Sequence, residues 1–145
     1  MIWSGTFKTP VNFVWGAPCS GKSTFVLENA SWGDLIIDLD RIIQSIGKFQ
    51  DHEKSDSIMP FAFDVRDLLI NKIIQSGYHG GISWIVACAP RREQREKILK
   101  AGAQSIFMDK TINDCKKNLR ADTNRKTNIQ LYDKVIDQWF KDFEK

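Results

Sequence analysis

Three cysteines are few for 145 residues, and no two of them form a C-x-x-C pair. Cys19, Cys88 and Cys115 stand far apart, which argues against a disulfide framework or a zinc site and favours a reducing cytosol. The expected location is therefore cytoplasmic. Histidine is scarcer still: His52 and His79 are single, lie in polar stretches, and are assigned no catalytic role. Long apolar runs are missing. None approaches the roughly 20 residues that cross a bilayer, so no membrane partner is expected. Met1-Ile2-Trp3-Ser4-Gly5 lacks the basic start and apolar core of a signal peptide. There is no internal repeat and no low-complexity linker. No strong excess of one charge is present either. A net charge of +3 and a pI near 8.8 are too mild to argue for nucleic acid alone.

What is there looks globular. The hydrophobic fraction is 42% and the charged fraction 27%. The length suits one domain over residues 1–145, and a domain of this size buries about 68–70% of its unfolded surface.

The most specific pattern is Gly16-Ala17-Pro18-Cys19-Ser20-Gly21-Lys22-Ser23-Thr24. It fits G-x-x-x-x-G-K-[ST], the phosphate-binding loop of nucleoside triphosphate proteins. Its context fits too. Val11 to Trp15 reads as a short buried strand, and Lys22 to Ala30 as the helix that leaves the loop. Gly16 and Gly21 permit sharp turns and close backbone approach. Successive N–H groups can then form an anion nest at the positive end of the helix. Lys22 can meet the β- and γ-phosphates, and the Ser23 hydroxyl can ligate Mg²⁺ between them. ATP and Mg²⁺ are the expected donor and metal. Cys19 reads as a small loop filler.

The remaining elements alternate. Ile2 to Lys8 is an edge strand or arm. Asp34 to Asp40 reads as a second strand ending in acid, and Arg41 to Ile46 as one or two helical turns closed by Gly47. Lys48 to Met59 is a polar loop. Pro60 opens a helix with Phe61, Val65, Leu68, Leu69 and Ile73 at helical spacing, capped by Gly77. Ile82 to Ala87 is a third strand, Pro90 to Ala101 a basic helix stopped by Gly102, and Ser105 to Met108 a fourth strand. Thr111 to Lys126 is polar and basic. Ile129 to Phe143 is an amphipathic closing helix with Tyr132, Val135, Ile136, Trp139, Phe140 and Phe143 on one face. The expected fold is α/β, a three-layer sandwich of the P-loop NTPase type. Its sheet is mostly parallel with helices on both faces. Ligands in such sheets sit outside the carboxyl ends of the strands.

Around that crevice, Asp38 and Asp40 are two apart on the second strand, so both point to the same face. Asp40, at the end, is the candidate to accept the proton of an attacking hydroxyl, against the alternative of a cap or a solvated turn acid. Asp38 takes a structural role or holds Mg²⁺ through water. Arg91, Arg92, Arg95, Lys97 and Lys100 crowd one helix. Lys110, Lys116, Lys117, Arg120, Arg125 and Lys126 crowd the segment after the fourth strand. Basic runs are usually solvated surface, yet phosphoryl transfer needs cations over the migrating group. Residues 110–128 are therefore a candidate lid, with Arg120 and Arg125 as its catalytic cations. Arg91 and Arg92 have a second role open to them, gripping an anionic acceptor. Trp3, Trp15, Trp32 and Trp84 are expected in packing rather than base stacking.

Taken in order, these pieces resemble a small P-loop kinase. They are similar to the 5′-hydroxyl kinase domain of bacteriophage polynucleotide kinase. The resemblance rests on Gly16 to Thr24, Asp40 followed by Gln44-Ser45-Ile46, Phe63-Asp64, Pro90-Arg91-Arg92 and the basic stretch Asp114 to Arg125. It implies that Asp40 is the general base and that lid arginines stabilise the transferring group. Two departures stand out. The third strand ends Val86-Ala87-Cys88-Ala89 where many relatives have an Asp, and an expected arginine is replaced by Ile43, with Arg41 nearby. The expected activity is transfer of the γ-phosphoryl of ATP to a hydroxyl or phosphate acceptor. That acceptor is a nucleic-acid end, a nucleotide or another small molecule. The alternative is a non-motor ATP-binding or ATPase module that acts through a partner.

Overall fold

The structure, a computed structural model, describes residues 4–48, 55–122 and 128–145. Four short apolar runs become strands: β1 (Val11–Trp15), β2 (Leu35–Asp38), β3 (Ser83–Ala87) and β4 (Gln104–Phe107). They form one parallel sheet in the order β2-β3-β1-β4. Between and after them lie α1 (Lys22–Asn29), α2 (Leu39–Ile46), α3 (Met59–Ser76), α4 (Arg92–Lys100), α5 (Ile112–Ala121) and α6 (Ile129–Asp142). The β1–α1–β2 crossover passes over β3, while β4 lies on the other side of β1. The carboxyl ends of β1 and β3 therefore flank a topological switch point, the usual ligand position in such sheets.

Both faces of the central strands are buried, as parallel sheets require. Val11, Phe13 and Trp15 of β1, with Ile37 and Ile85, join one core with α2 to α6. Val14, Trp84 and Val86 form a smaller core under Val26 and Phe25 of α1. Helices on both faces match the sequence expectation.

Three differences follow from local chemistry. β2 stops at Asp38 rather than Asp40, because the Asp38 carboxylate accepts from Asp40 N–H at 3.1 Å and caps α2. Asp38 and Asp40 are thus a cap and a first-turn acid, not two residues on one strand face. The basic stretch after β4 is helical as α5, started by a reciprocal Thr111–Asp114 capping box. That pattern was present in the sequence as Thr-x-x-Asp. Finally, residues 4–8 form no strand; Phe7 N–H donates to Ala101 O instead. Trp3 lies outside the described residues.

Tryptophan divides. Trp15 and Trp84 are buried as expected, but Trp32 is fully exposed on the turn before β2 and packs nothing. Its turn is held by Asp34, whose carboxylate accepts from Ser31 N–H, Ile82 N–H and Trp84 Nε1. The Trp84 bond, then those backbone bonds, hold the Asp34 carboxyl below its usual range. A depressed folded-state value stabilises the protein above the unfolded value, near pH 3.9. That stability is lost as pH falls through the lower folded value. Asp34→Asn is expected to lower the melting temperature at pH 7, with the gap to wild type closing as the pH drops below about 4. Thermal melts across that range check this.

Arg95, counted in sequence as one of a basic crowd, is buried on α4. Its guanidinium stacks 4.1 Å from the Trp15 ring and donates to Ala89 O at 2.9 Å, Pro90 O at 3.0 Å and Glu144 O. Burial pushes its pKa down. It is a structural pin between β1, the β3–α4 turn and the segment after α6. Arg95→Met keeps the length and strands those carbonyls. It should cost about 2–4 kcal/mol, as read by urea unfolding.

Candidate active site

The loop from Gly16 to Thr24 joins β1 to α1 at the switch point. Gly16 sits at φ 155° and Gly21 at φ 90°; a Cβ on Gly16 would meet the Met108 carbonyl oxygen and Ser20 Oγ at 3.1 Å each. Only glycine allows that closeness. Cys19 takes a left-handed φ of 64° and is buried, as is Ala17. Pro18 is half-buried, while Ser23 and Thr24 are exposed on the first turn of α1. Gly21 caps α1 with no side-chain acceptor, so the first N–H groups of the helix remain available at its positive end. Lys22 Nζ braces the loop through Gly16 O at 3.1 Å and Ala17 O at 2.7 Å. Ser20 Oγ is buried with no hydrogen-bond partner among the described residues.

Ser23 and Asp38 meet. Ser23 Oγ donates to Asp38 Oδ2 at 2.8 Å, while Asp38 Oδ1 caps α2. One buried carboxylate thereby ties the start of α1 to the start of α2. The acid absent from the end of β3, where Ala87 and Cys88 stand, is answered by one from β2. Asp40 follows in the first turn of α2, half-buried. A cleft of about 480 Å³ opens there, lined by Ser23, Val26, Leu27, Ile36, Asp38, Asp40, Arg41, Gln44 and Ser45. Val26, Leu27 and Ile36 are its apolar lining; two carboxylates, a guanidinium, an amide and two hydroxyls are its polar lining. Ile43 is buried in the core, so the cationic position on α2 that borders the cleft belongs to Arg41.

The other candidates are elsewhere engaged. Arg120 donates to Lys116 O at 3.0 Å and to Asp133 of α6 at 3.4 Å, so this arrangement does not bring it to the loop. Lys116 pairs with Asp137 at 2.8 Å. Arg91 pairs with Asp142 at 3.5 Å, and Arg92 donates to Lys145 O, so both turn toward the chain's last residues. Arg125 and Lys126 lie outside the described residues, as does His52. His79 is exposed.

Two contacts escaped the sequence. Asn118 of α5 donates to Cys19 O at 2.9 Å, and Met108 packs against Gly16. No motif announces either, since one depends on how α5 docks and the other on β4 pairing beside β1. Cys115, fully buried beneath the loop, has its thiol pushed up to about 11 by burial and then by Cys19. Among the described residues no cluster of three His, Cys, Asp or Glu side chains forms a metal site, and no helix is long and apolar enough to cross a membrane.

No known family profile matches this chain, and no curated protein does. Solved structures match. A chain of the Pnkp1/Rnl/Hen1 RNA repair complex superposes with a TM-score of 0.62 over 97% of this chain, at 14% identity. The likeness is one of fold: this chain has an α/β, P-loop kinase-like fold with four parallel strands flanked by helices. A chain from a second Pnkp1/Rnl/Hen1 complex structure gives a TM-score of 0.57 over 79% of this chain, at 15% identity. This chain spans 48% and 40% of those two neighbours. Within the P-loop kinase-like fold, the glycine loop and the Asp38–Asp40 turn fall at the carboxyl ends of the strands, where the sequence reading expected them.

Proposed function

We propose that the chain is a phosphotransferase that moves the γ-phosphoryl of ATP to a hydroxyl, with the 5′-hydroxyl of a polynucleotide as the favoured acceptor. The observation that carries this is the linked set Ser23–Asp38–Asp40 beside the glycine loop. It joins a hydroxyl, a carboxylate and a second carboxylate on a cleft between α1, β2 and α2, next to the glycine loop. The likeness to chains of an RNA repair complex supports the choice of acceptor.

The residues fit the donor. Uncapped amides at the start of α1, the Lys22 ammonium and the unpartnered Ser20 hydroxyl suit phosphate oxygens. Ser23 Oγ and Asp38 Oδ2 are hard oxygen donors of the kind Mg²⁺ takes, directly or through water. Mg²⁺ held there would neutralise charge on the β- and γ-phosphates. Asp40 takes the proton of the acceptor hydroxyl. The acceptor oxygen bonds to Pγ as the bond from Pγ to the β–γ bridging oxygen breaks, and ADP leaves with that electron pair. Arg41 and Gln44 border the cleft on the acceptor side. Arg125, and Arg120 once released from Asp133, would supply lid cations. The test is metal-specific: Ser23→Ala should weaken ATP binding about tenfold with Mg²⁺ and little with EDTA. Equal loss in both buffers would contradict the metal role.

A further inference from the structure

The β4–α5 unit leans on the glycine loop at two independent points. Met108 continues the β1–β4 ladder, donating N–H to Trp15 O at 2.9 Å, and its carbonyl lies where a Cβ on Gly16 would approach to 3.1 Å. Ten residues later, on α5, Asn118 donates its side-chain amide to Cys19 O at 2.9 Å. Cys19 is the non-glycine residue of the loop in the left-handed region, which costs energy for any residue but glycine unless its surroundings hold it. In the trans peptide the Cys19 carbonyl opposes the Ser20 N–H, which donates to Ala17 O at 3.1 Å, so holding that carbonyl holds the turn that shapes the loop. Cys115 and Leu119, fully buried on the same helix, fix α5 without help from Asn118, which is itself exposed.

We infer that Asn118 is a positioning residue for the donor phosphates: its bond to Cys19 O holds the glycine loop in its anion-binding shape. The assignment rests on the phosphotransferase reading. It also makes α5 a part of the donor site rather than a cover laid over it. Arg120 lies two residues further along the same helix, and Arg125 follows shortly after it. A shift of α5 that freed Arg120 would therefore be felt at Cys19.

The test titrates ATP·Mg²⁺ into the whole chain by calorimetry, with nucleotide-free melts alongside. Asn118→Leu keeps the branched shape and removes the donor. Affinity should fall about 5- to 15-fold, the worth of one hydrogen bond, while the nucleotide-free melting temperature stays at the wild-type value. Asn118→His, whose Nδ1–H can donate from nearly the same point, should recover part of the affinity. Wild-type affinity in Asn118→Leu overturns the assignment. So does a loss shared by the Leu and His variants and matched by a lower nucleotide-free melting temperature, which marks a merely structural contact. Failure of the wild type itself to bind ATP·Mg²⁺ would instead bring down the phosphotransferase reading.

Discussion

Asp40→Asn should leave ATP·Mg²⁺ affinity nearly unchanged and slow phosphoryl transfer by about 10²–10⁴-fold, the usual contribution of general acid–base catalysis. Asparagine keeps the size and polarity of the side chain but cannot take a proton. The position suits the role. Asp40 is half-buried in the first turn of α2, borders the cleft, and directly follows the residues that place Asp38 on Ser23. The transition state of phosphoryl transfer is loose, with little proton transfer required early, so the lower end of that range is expected. Asp38→Asn is the internal comparison. Asparagine still caps α2, but it strips the charge from the Ser23 contact, so it should lower stability by about 1 kcal/mol. Initial-rate kinetics and a urea melt on both variants separate the two acids. Wild-type transfer by Asp40→Asn would make Asp40 a first-turn helix acid and nothing more.

Lys22→Ala should weaken ATP binding by about 10²–10⁴-fold, since two charge-assisted hydrogen bonds of about 1.5–3 kcal/mol each are lost. Part of the loss is indirect. Lys22 Nζ braces Gly16 O and Ala17 O, so the alanine variant also loosens the loop that presents the amides. Because a ligand that binds only the folded state stabilises it by mass action, the rise in melting temperature on adding ATP·Mg²⁺ should nearly vanish. An undiminished rise would contradict the loop's assignment.

Much of this was legible in the residues because short-range rules governed it. The run Val11 to Trp15, then glycines spaced for a tight loop, then a helix start, specifies strand, turn and helix with no long-range information. The same holds for α3, where apolar spacing, Pro60 and Gly77 mark the span that forms. The second acid turn was misread because strand and N-cap compete for the same residues. Asp38 looks like the end of an apolar strand until its carboxylate finds the Asp40 amide. Arg95 could not be told from its neighbours on α4, since its burial depends on Trp15 and on Phe143, more than 45 residues away. Arg120 carried the right charge for a lid, but its partner Asp133 sits on another helix. Asn118 carried no signal at all; only the docking of α5 brings it to Cys19. Residue types announced the chemistry, and tertiary packing chose which of those residues meet.

The most direct measurement of the central claim is transfer of label from γ-labelled ATP with Mg²⁺ to an oligonucleotide bearing a 5′-hydroxyl. The same oligonucleotide bearing a 5′-phosphate, and a panel of nucleosides and nucleotides, run alongside. The account predicts label on the 5′-hydroxyl oligonucleotide, none on its 5′-phosphorylated twin, and loss of the signal in both Lys22→Ala and Asp40→Asn. Label on a nucleoside or nucleotide alone would keep the phosphotransferase and replace its acceptor. ATP binding without label on any acceptor would contradict the account.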